Sequence, residues 1–263
     1  MGLNNFLLPE RLPRQVVFAG DRHCEIVVLA KRRIAERRRF PLAAGENDPE
    51  RWGEIAARLQ PLDTGVVLNA EPFIFNFFEF DRLPWSQKLL GELVDWKLQK
   101  IFPENIDAYD HRFFRLNRKR VFSILVRKGL LETLEASFRA RNIPLIRIGS
   151  STLEILNRAV QLKPVPDFFV ETDDASCCLV FQSQRLPVYV RKFKAGSGAE
   201  TAAEISKTVQ FVKNTYGGDP RRYFIVGHQE NPRPADIAAE LDGEGLSCLN
   251  AVAGNTPYIP GSQ

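Results

Sequence analysis

Two stretches of this sequence repeat each other, and that repetition limits the fold more than any other feature. One begins at Val16 and reads VVFAGDRHCEIVVLAKRRIAERRRF; the other begins at Phe168 and reads FFVETDDASCCLVFQSQRLPVYVRKF. Setting Asp21 against Asp173, 152 residues on, needs no gap (173 − 21). Val27, Val28 and Leu29 then meet Leu179, Val180 and Phe181, and Arg39 meets Arg191. Each copy reads as strand, acidic bend, strand, polar turn, strand, with β-branched and aromatic residues filling the strands. After the first copy, DPERWGEIAARLQ places Trp52, Ile55, Ala56 and Leu59 on one helical face, with Asp48 as N-cap and Pro49 at the first helical position. The strand GVVLNA follows. After the second copy, AETAAEISKTVQFVKNTY aligns Ile205, Val209, Val212 and Tyr216, Gly217 and Gly218 end the helix, and the strand YFIVG follows. Both halves are a meander, a helix and a strand, which predicts a duplicated α/β architecture with two lobes.

Between the halves, LPWSQKLLGELVDWKLQKIFP carries Trp85, Leu89, Leu93 and Trp96 on one helical row and Leu90, Val94, Leu98 and Ile101 on the next. Such a wide apolar face belongs against a sheet. The block VFSILVRKGLLETLEASFRARNIPLIRIGSSTLEILNRAV then reads as strand, helix, short strand, helix, with Asn142 ending the first helix just before Pro144.

Composition removes several function classes. A net charge of +4 on 263 residues gives little case for nucleic acid. No apolar run reaches the roughly 18 residues of a membrane span. The four cysteines form no C-x-x-C pair, and the adjacent Cys177 and Cys178 point to opposite faces of a strand, as reduced structural thiols do. The three histidines show no metal-ligand spacing, so no metal site is expected.

The order of these blocks resembles the PilM-type pilus assembly proteins and the cytoplasmic part of the GspL-type secretion proteins. The resemblance runs from about Val16 to Gly227 and rests on LPWSQKLLGELVDWKLQKIFP, LLETLEASFRARNIPLIRIGSS and EISKTVQFV. It implies an actin-like α/β fold whose duplicated, ribonuclease-H-like lobes are mixed sheets flanked by helices. Residues 1–150 would form the first lobe, with an inserted module at about 66–118. Residues 151–263 would form a smaller second lobe without an inserted subdomain, since only KAGSGA joins Phe193 to Glu200.

In nucleotide-holding members of that superfamily, two acid-x-Gly turns and a Gly-Gly turn let bare backbone approach phosphate and base. Here the turns read Asp21-Arg22-His23, Asp173-Asp174-Ala175 and Gly227-His228. Each lacks one of those glycines, and Asp174 adds repulsion where phosphate would sit. Asp21, Asp173 and Gly227 are therefore expected as a degenerate relic, with no ATP or magnesium as cofactor and no catalytic residue. Asp173 is expected to bond backbone at its turn. Ribonuclease-like metal catalysis by Asp21, Glu71, Asp81 and Asp173 is rejected, because Asp173 lies in another lobe.

Two further stretches bear on partners. KRRIAERRRF reads as an edge strand guarded by charge, or as a surface for acidic protein or anionic lipid. Strict alternation groups Arg33 with Arg37 and Arg39. EPFIFNFFEFDRLPW reads as a buried strand or as the wall of an aromatic groove. Arg37, Arg39, Phe78 and Trp85 are the expected partner contacts. The resemblance implies a scaffold of a type IV pilus or type II secretion platform, cytoplasmic and at the inner face of the bacterial inner membrane. It would dock the N-terminal segment of a PilN-type membrane protein as an extended peptide between the lobes, in an apolar groove with a basic rim, and contact the motor ATPase, with self-association left open. The alternative is an ATP-dependent switch or kinase-like enzyme of the same superfamily.

Overall fold

A computed structural model describes residues 12–253 apart from 21, 32, 43–48, 104, 160 and 228–233. The expected N-cap Asp48, the turn residues Asp21 and His228, and the chain end with Tyr258 and Ile259 lie outside the described residues.

The first lobe begins with β1 (Gln15–Ala19), β2 (His23–Ala30), β3 (Arg33–Pro41), α1 (Pro49–Ala57) and β4 (Thr64–Leu68). An inserted module follows: β5 (Phe73–Glu79), α2 (Gln87–Ile101), β6 (Tyr109–Arg115) and β7 (Arg120–Arg127). The chain returns through α3 (Lys128–Arg139) and β8 (Leu145–Ser150), then crosses on α4 (Ser151–Ala159). The second lobe is β9 (Phe168–Thr172), β10 (Ser176–Ser183), β11 (Leu186–Lys194), α5 (Gly198–Tyr216), β12 (Arg222–Gly227), α6 (Pro234–Gly243) and β13 (Ser247–Ala253).

Two five-stranded sheets run β3-β2-β1-β4-β8 and β11-β10-β9-β12-β13, and a three-stranded sheet β5-β7-β6 belongs to the module. In both large sheets the meander is antiparallel and the later strands join in parallel. The lobes are therefore duplicates, as the sequence predicts. The module is shifted from its expected bounds. Val66, Val67 and Leu68, within the range 66–118, belong to β4 inside the first sheet, whereas β7, beyond that range, is the middle strand of the module sheet.

Strand pairing also corrects the repeat by one residue. Ala19↔Cys24 in the first lobe corresponds to Thr172↔Cys177 in the second, and His23↔Pro41 to Ser176↔Lys194, an offset of 153 in every case (172 − 19, 177 − 24, 194 − 41). The irregularities follow the same offset. Ala35 and Val188 are the bulged residues, and Lys31 and Gln184 take left-handed φ angles of 50° and 52° in the turns. The bulge at Ala35 also breaks the strict alternation that groups Arg33 with Arg37 and Arg39. A slip of one residue exchanges the faces of a strand, so this register decides which side chains are equivalent.

Helices cover one face of each sheet because their apolar rows repeat at helical spacing. Trp52 and Ile55 of α1 and Leu130, Leu134 and Phe138 of α3 are buried against the first sheet. Ile205, Val209 and Val212 of α5 and Ile237 and Leu241 of α6 cover the second. Each such side chain contributes roughly 1.5–3 kcal/mol. Tyr223 is fully buried, and its hydroxyl donates to the Ala238 carbonyl at 3.2 Å. Cys177 and Cys178 do face opposite ways, into different cores, and burial pushes both thiols up; burial likewise raises the Cys24 thiol to about 12. None is a nucleophile at neutral pH.

Local chemistry sets the helix ends. Ser197 and Glu200 form a reciprocal capping box that starts α5, and Gly217, at φ 74°, stops it. Asn142, at φ 53°, turns the chain after α3. Asp167 ties the start of β9 to β12 by accepting from the Arg221 and Arg222 amides at 3.1 and 2.9 Å and from the Arg222 guanidinium at 2.9 Å. Burial alone would raise this carboxyl, but those bonds outweigh it and hold it below the usual range.

The module has its own core of Phe78, Leu83, Leu90, Val94, Leu98, Val121 and Leu125. Phe78, expected as a partner contact, is only 5% exposed there and packs instead. Helix α2 buries only its Leu90–Val94–Leu98 row. Of the second row, expected against a sheet, Leu93 packs partly on that core, whereas Trp85, Leu89 and Trp96 stay outside, 83%, 53% and 47% exposed, as does Ile101 at the helix end, 50% exposed.

Candidate functional site

The acid turns of the two lobes meet. Gly20 and Asp173 are equivalent under the 153-residue offset, and each donates its amide to the equivalent carbonyl, His23 at 3.0 Å and Ser176 at 2.8 Å. They touch across the lobes: a Cβ on Gly20 would lie 2.6 Å from Asp173 Oδ2 and 2.8 Å from His23 Cε1. The bare backbone of one turn thus receives the carboxylate of the other.

Asp173, 1% exposed, has its carboxylate held on both sides. Oδ1 accepts the Asp174 amide at 2.9 Å, the turn bond expected from the sequence, and Oδ2 accepts the Asn69 side-chain amide at 3.0 Å from the first lobe. His23 Nδ1 lies 3.3 Å from Asp174 Oδ2 and 3.8 Å from Asp173 Oδ1. Arg51 of α1 donates to the Gly20 carbonyl from the first-lobe side. Among the described residues, His23, Asp173 and Asp174 are the one group spaced to hold a cation, with donor atoms within 4.8 Å, and those donors already bond one another and Asn69.

Gly227 ends β12 opposite Thr172, and a Cβ there would lie 2.3 Å from Pro234 Cγ and 2.8 Å from Thr172 Oγ1. This glycine admits the first residue of α6. The actin-like fold implies a nucleotide and its metal between these turns. Among the described residues, protein fills the space beside Gly20 and beside Gly227, where bare backbone would have to meet phosphate or base.

A second feature lies on the opposite side of the first sheet's edge. Among the described residues, strand β8 pairs only with β4 and β6 only with β7, so each ends its sheet. Both edges line one groove of about 490 Å³, β8 along its whole length from Leu145 to Ser150 and β6 through Asp110, His111, Arg112 and Phe114. Phe73, Ile124, Val126 and Leu153 supply further apolar lining. Ser150 is 1% exposed, and its hydroxyl meets no hydrogen-bonding protein group. The rim is mixed rather than basic: Arg112, Arg147 and His111 stand with Asp110, Glu135 and Glu154. Glu154 pairs with Arg147, and burial raises its carboxyl despite that arginine. An apolar trough between two unpaired strand edges can take an extended chain, whose backbone would pair with one edge while alternate side chains enter the trough.

The other expected contacts lie elsewhere. Arg37 and Arg39 are exposed on β3, the opposite edge of the first sheet, and the Arg37 guanidinium is engaged with buried Glu25 through Nε at 2.6 Å and Nη2 at 2.9 Å. Trp85 precedes α2 and is not among the groove residues. Sequence reasoning expected a groove between the lobes and missed this one, between the module and the first sheet, although the β8 stretch LIRIGS supplies six of its seventeen lining residues. Among the described residues no helix is long and apolar enough to cross a membrane.

No protein-family model matches the sequence, and no curated protein matches it. Solved structures do. The PilM-PilN type IV pilus biogenesis complex superposes with a TM-score of 0.69 at 16% identity, over 93% of this chain and 91% of that one. The cytoplasmic domain of EpsL, an inner-membrane component of the type II secretion system of Vibrio cholerae, gives 0.57 at 12% identity over 81% of each chain. A Bacteroides thetaiotaomicron protein of unknown function with an actin-like ATPase fold gives 0.58 at 6% identity over 90% of each. The fold is the actin-like one that the resemblance implied.

Proposed function

We propose that this chain is a non-catalytic scaffold of a type IV pilus or type II secretion platform, and that its groove docks the cytoplasmic segment of a PilN-type membrane protein as an added strand. The observation that carries the reading is the pair of sheet edges, β6 and β8, left unpaired among the described residues and facing one trough of apolar and charged side chains with the buried Ser150 hydroxyl on its wall. Its likeness to a chain of a PilM-PilN type IV pilus biogenesis complex supports the nature of the occupant. The direct contact of the two acid turns supports the absence of nucleotide chemistry.

Ile146 offers a clean test. It lines the groove but is the bulged residue of β8, skipped between Thr64↔Leu145 and Gly65↔Arg147, so a change there leaves the strand ladder intact. A labelled synthetic peptide of the cognate PilN-type N-terminal segment should bind the native protein. Ile146→Arg, which puts an unpaired charge in the trough, should weaken that binding about 100-fold, or nearly 3 kcal/mol. Its melting temperature should stay close to native. Absence of peptide binding to the native protein, or equal binding by the variant, would remove the groove from this role.

A further inference from the structure

Among the described residues, four of the eight large apolar side chains left exposed fall between Trp85 and Ile101. Leu89, Trp96 and Lys100 follow one another at steps of seven and four along one side of α2, with Leu93 between them packed partly on the module core, and Trp85 stands in the segment just before the helix. From Leu89 to Lys100 the row runs about 17 Å along the helix. Its opposite side, Leu90, Val94 and Leu98, is the one buried in the module core. The module therefore spends one apolar row on its own sheet and turns most of a second outward. A scattered exposed leucine needs no explanation, but two tryptophans and a leucine in one short stretch do.

The charges around this row are chiefly cationic. Lys100 Nζ sits 3.9 Å from the centre of the Trp96 ring, and Lys97 reaches both Trp96 and Phe80. Lys88 is exposed on the other flank. At the Trp85 end, the β6–β7 turn is bonded to the strand leading into α2: the Phe80 amide donates to Lys119 O at 2.9 Å and the Leu83 amide to Arg118 O at 3.1 Å. That brings exposed Arg118 and Lys119 beside Arg82 and Trp85. Of the carboxylates nearby among the described residues, Asp95 is held 2.9 Å from His111 Nε2 and Glu79 3.3 Å from Arg120 Nη2, leaving Asp81 and Glu92 as opposing charges.

We infer that this face of α2 rests on an anionic bilayer surface, with Trp85, Leu89 and Trp96 entering the headgroup boundary. Tryptophan favours that boundary because its ring is apolar and its N–H stays hydrated. Lysine and arginine stems can lie along the apolar layer while their heads meet lipid phosphate. A helix with one face docked on protein and a Trp/Leu face flanked by cations suits lying in the interface plane. This inference does not depend on the peptide groove, which opens between other elements.

The test is co-sedimentation of the native protein with phosphatidylcholine vesicles, alone or containing roughly 30% phosphatidylglycerol. Binding should require the anionic lipid, weaken in high salt, and shift tryptophan emission to the blue. Trp85→Ser combined with Trp96→Ser should reduce vesicle binding at least tenfold, and its melting curve should stay native-like because both rings are outside the core. Ile146→Arg should bind vesicles normally, which separates a failure here from a failure of the groove. Three results would overturn the inference: no binding of the native protein to anionic vesicles, equal binding by the double variant, or a concentration-dependent dimer that the double variant abolishes. The last would assign the face to a second copy of the chain.

Discussion

Gly20→Val should lower the stability of this protein by about 3 kcal/mol. Its Cβ would stand 2.6 Å from Asp173 Oδ2, inside any tolerable contact. A flexible carboxylate could swing away, but this one is fixed by the Asp174 amide at 2.9 Å and by Asn69 at 3.0 Å. Moving it would leave the buried Asn69 amide, 3% exposed, without that acceptor. Valine thus forces a choice between overpacking and lost bonds across the lobes. Gly53→Ala is the control, because nothing lies within 4 Å of its Cβ position and it sits inside α1. There alanine should stabilise by about 0.5–1 kcal/mol. Urea melts of the two variants should move in opposite directions. If Gly20→Val melts like the native protein, the two turns do not touch.

The second large effect is expected at Glu171, on the central strand of the second lobe. This carboxylate is 2% exposed and accepts the Ser151 hydroxyl and, at 2.6 Å, the Thr152 hydroxyl. Both hydroxyls belong to the first turn of α4, so a negative charge lies at the positive end of that helix. Glu171→Ala removes the acceptor and strands two buried hydroxyls, at a cost of about 3 kcal/mol. Glu171→Gln keeps one acceptor oxygen but loses the charge, and should cost about half as much. Thermal melts of the pair give the order directly. Equal losses for alanine and glutamine would mean that packing, rather than the acceptor, matters there.

Much of the fold can be read in the sequence because each lobe repeats a pattern with a local cause. Apolar strand residues mark the meander and apolar residues at helical spacing mark the helix after it in both halves, and Gly217 marks the end of the second of those helices. The register of the repeat is harder to read. Asp21 and Asp173 invite pairing because both are acids at a bend, yet the ladder sets Gly20 against Asp173. In that register Cys24 meets Cys177, Val27 meets Val180, Arg38 meets Arg191 and Phe40 meets Phe193. Those identities were available, but a single conspicuous acid outweighs them to the eye.

The site was less legible, for a different reason. The groove is made where the edge of the module sheet faces the edge of the first sheet, so it depends on how β6 and β8 are placed in space. Neither strand shows that from its own residues. Helix α2 illustrates the same limit. Its two apolar rows both predict burial, but the sheet β5-β7-β6 covers only one of them. Phe78 and Trp85, close in sequence and alike in chemistry, end up 5% and 83% exposed because Phe78 lies on β5 and faces the module core, whereas Trp85 lies in the segment before α2, outside that core.

The most direct test of the whole account is a melting curve with and without Mg²⁺-ATP at millimolar concentration. If the turns close on each other as Gly20, Asp173 and Asn69 indicate, the melting temperature should not move. A nucleotide bound at a hundred times its dissociation constant would add about 2.7 kcal/mol and raise that temperature by about 5 °C or more. A rise of that size, absent with magnesium alone, would contradict the account and return this protein to the nucleotide-dependent actin-like proteins.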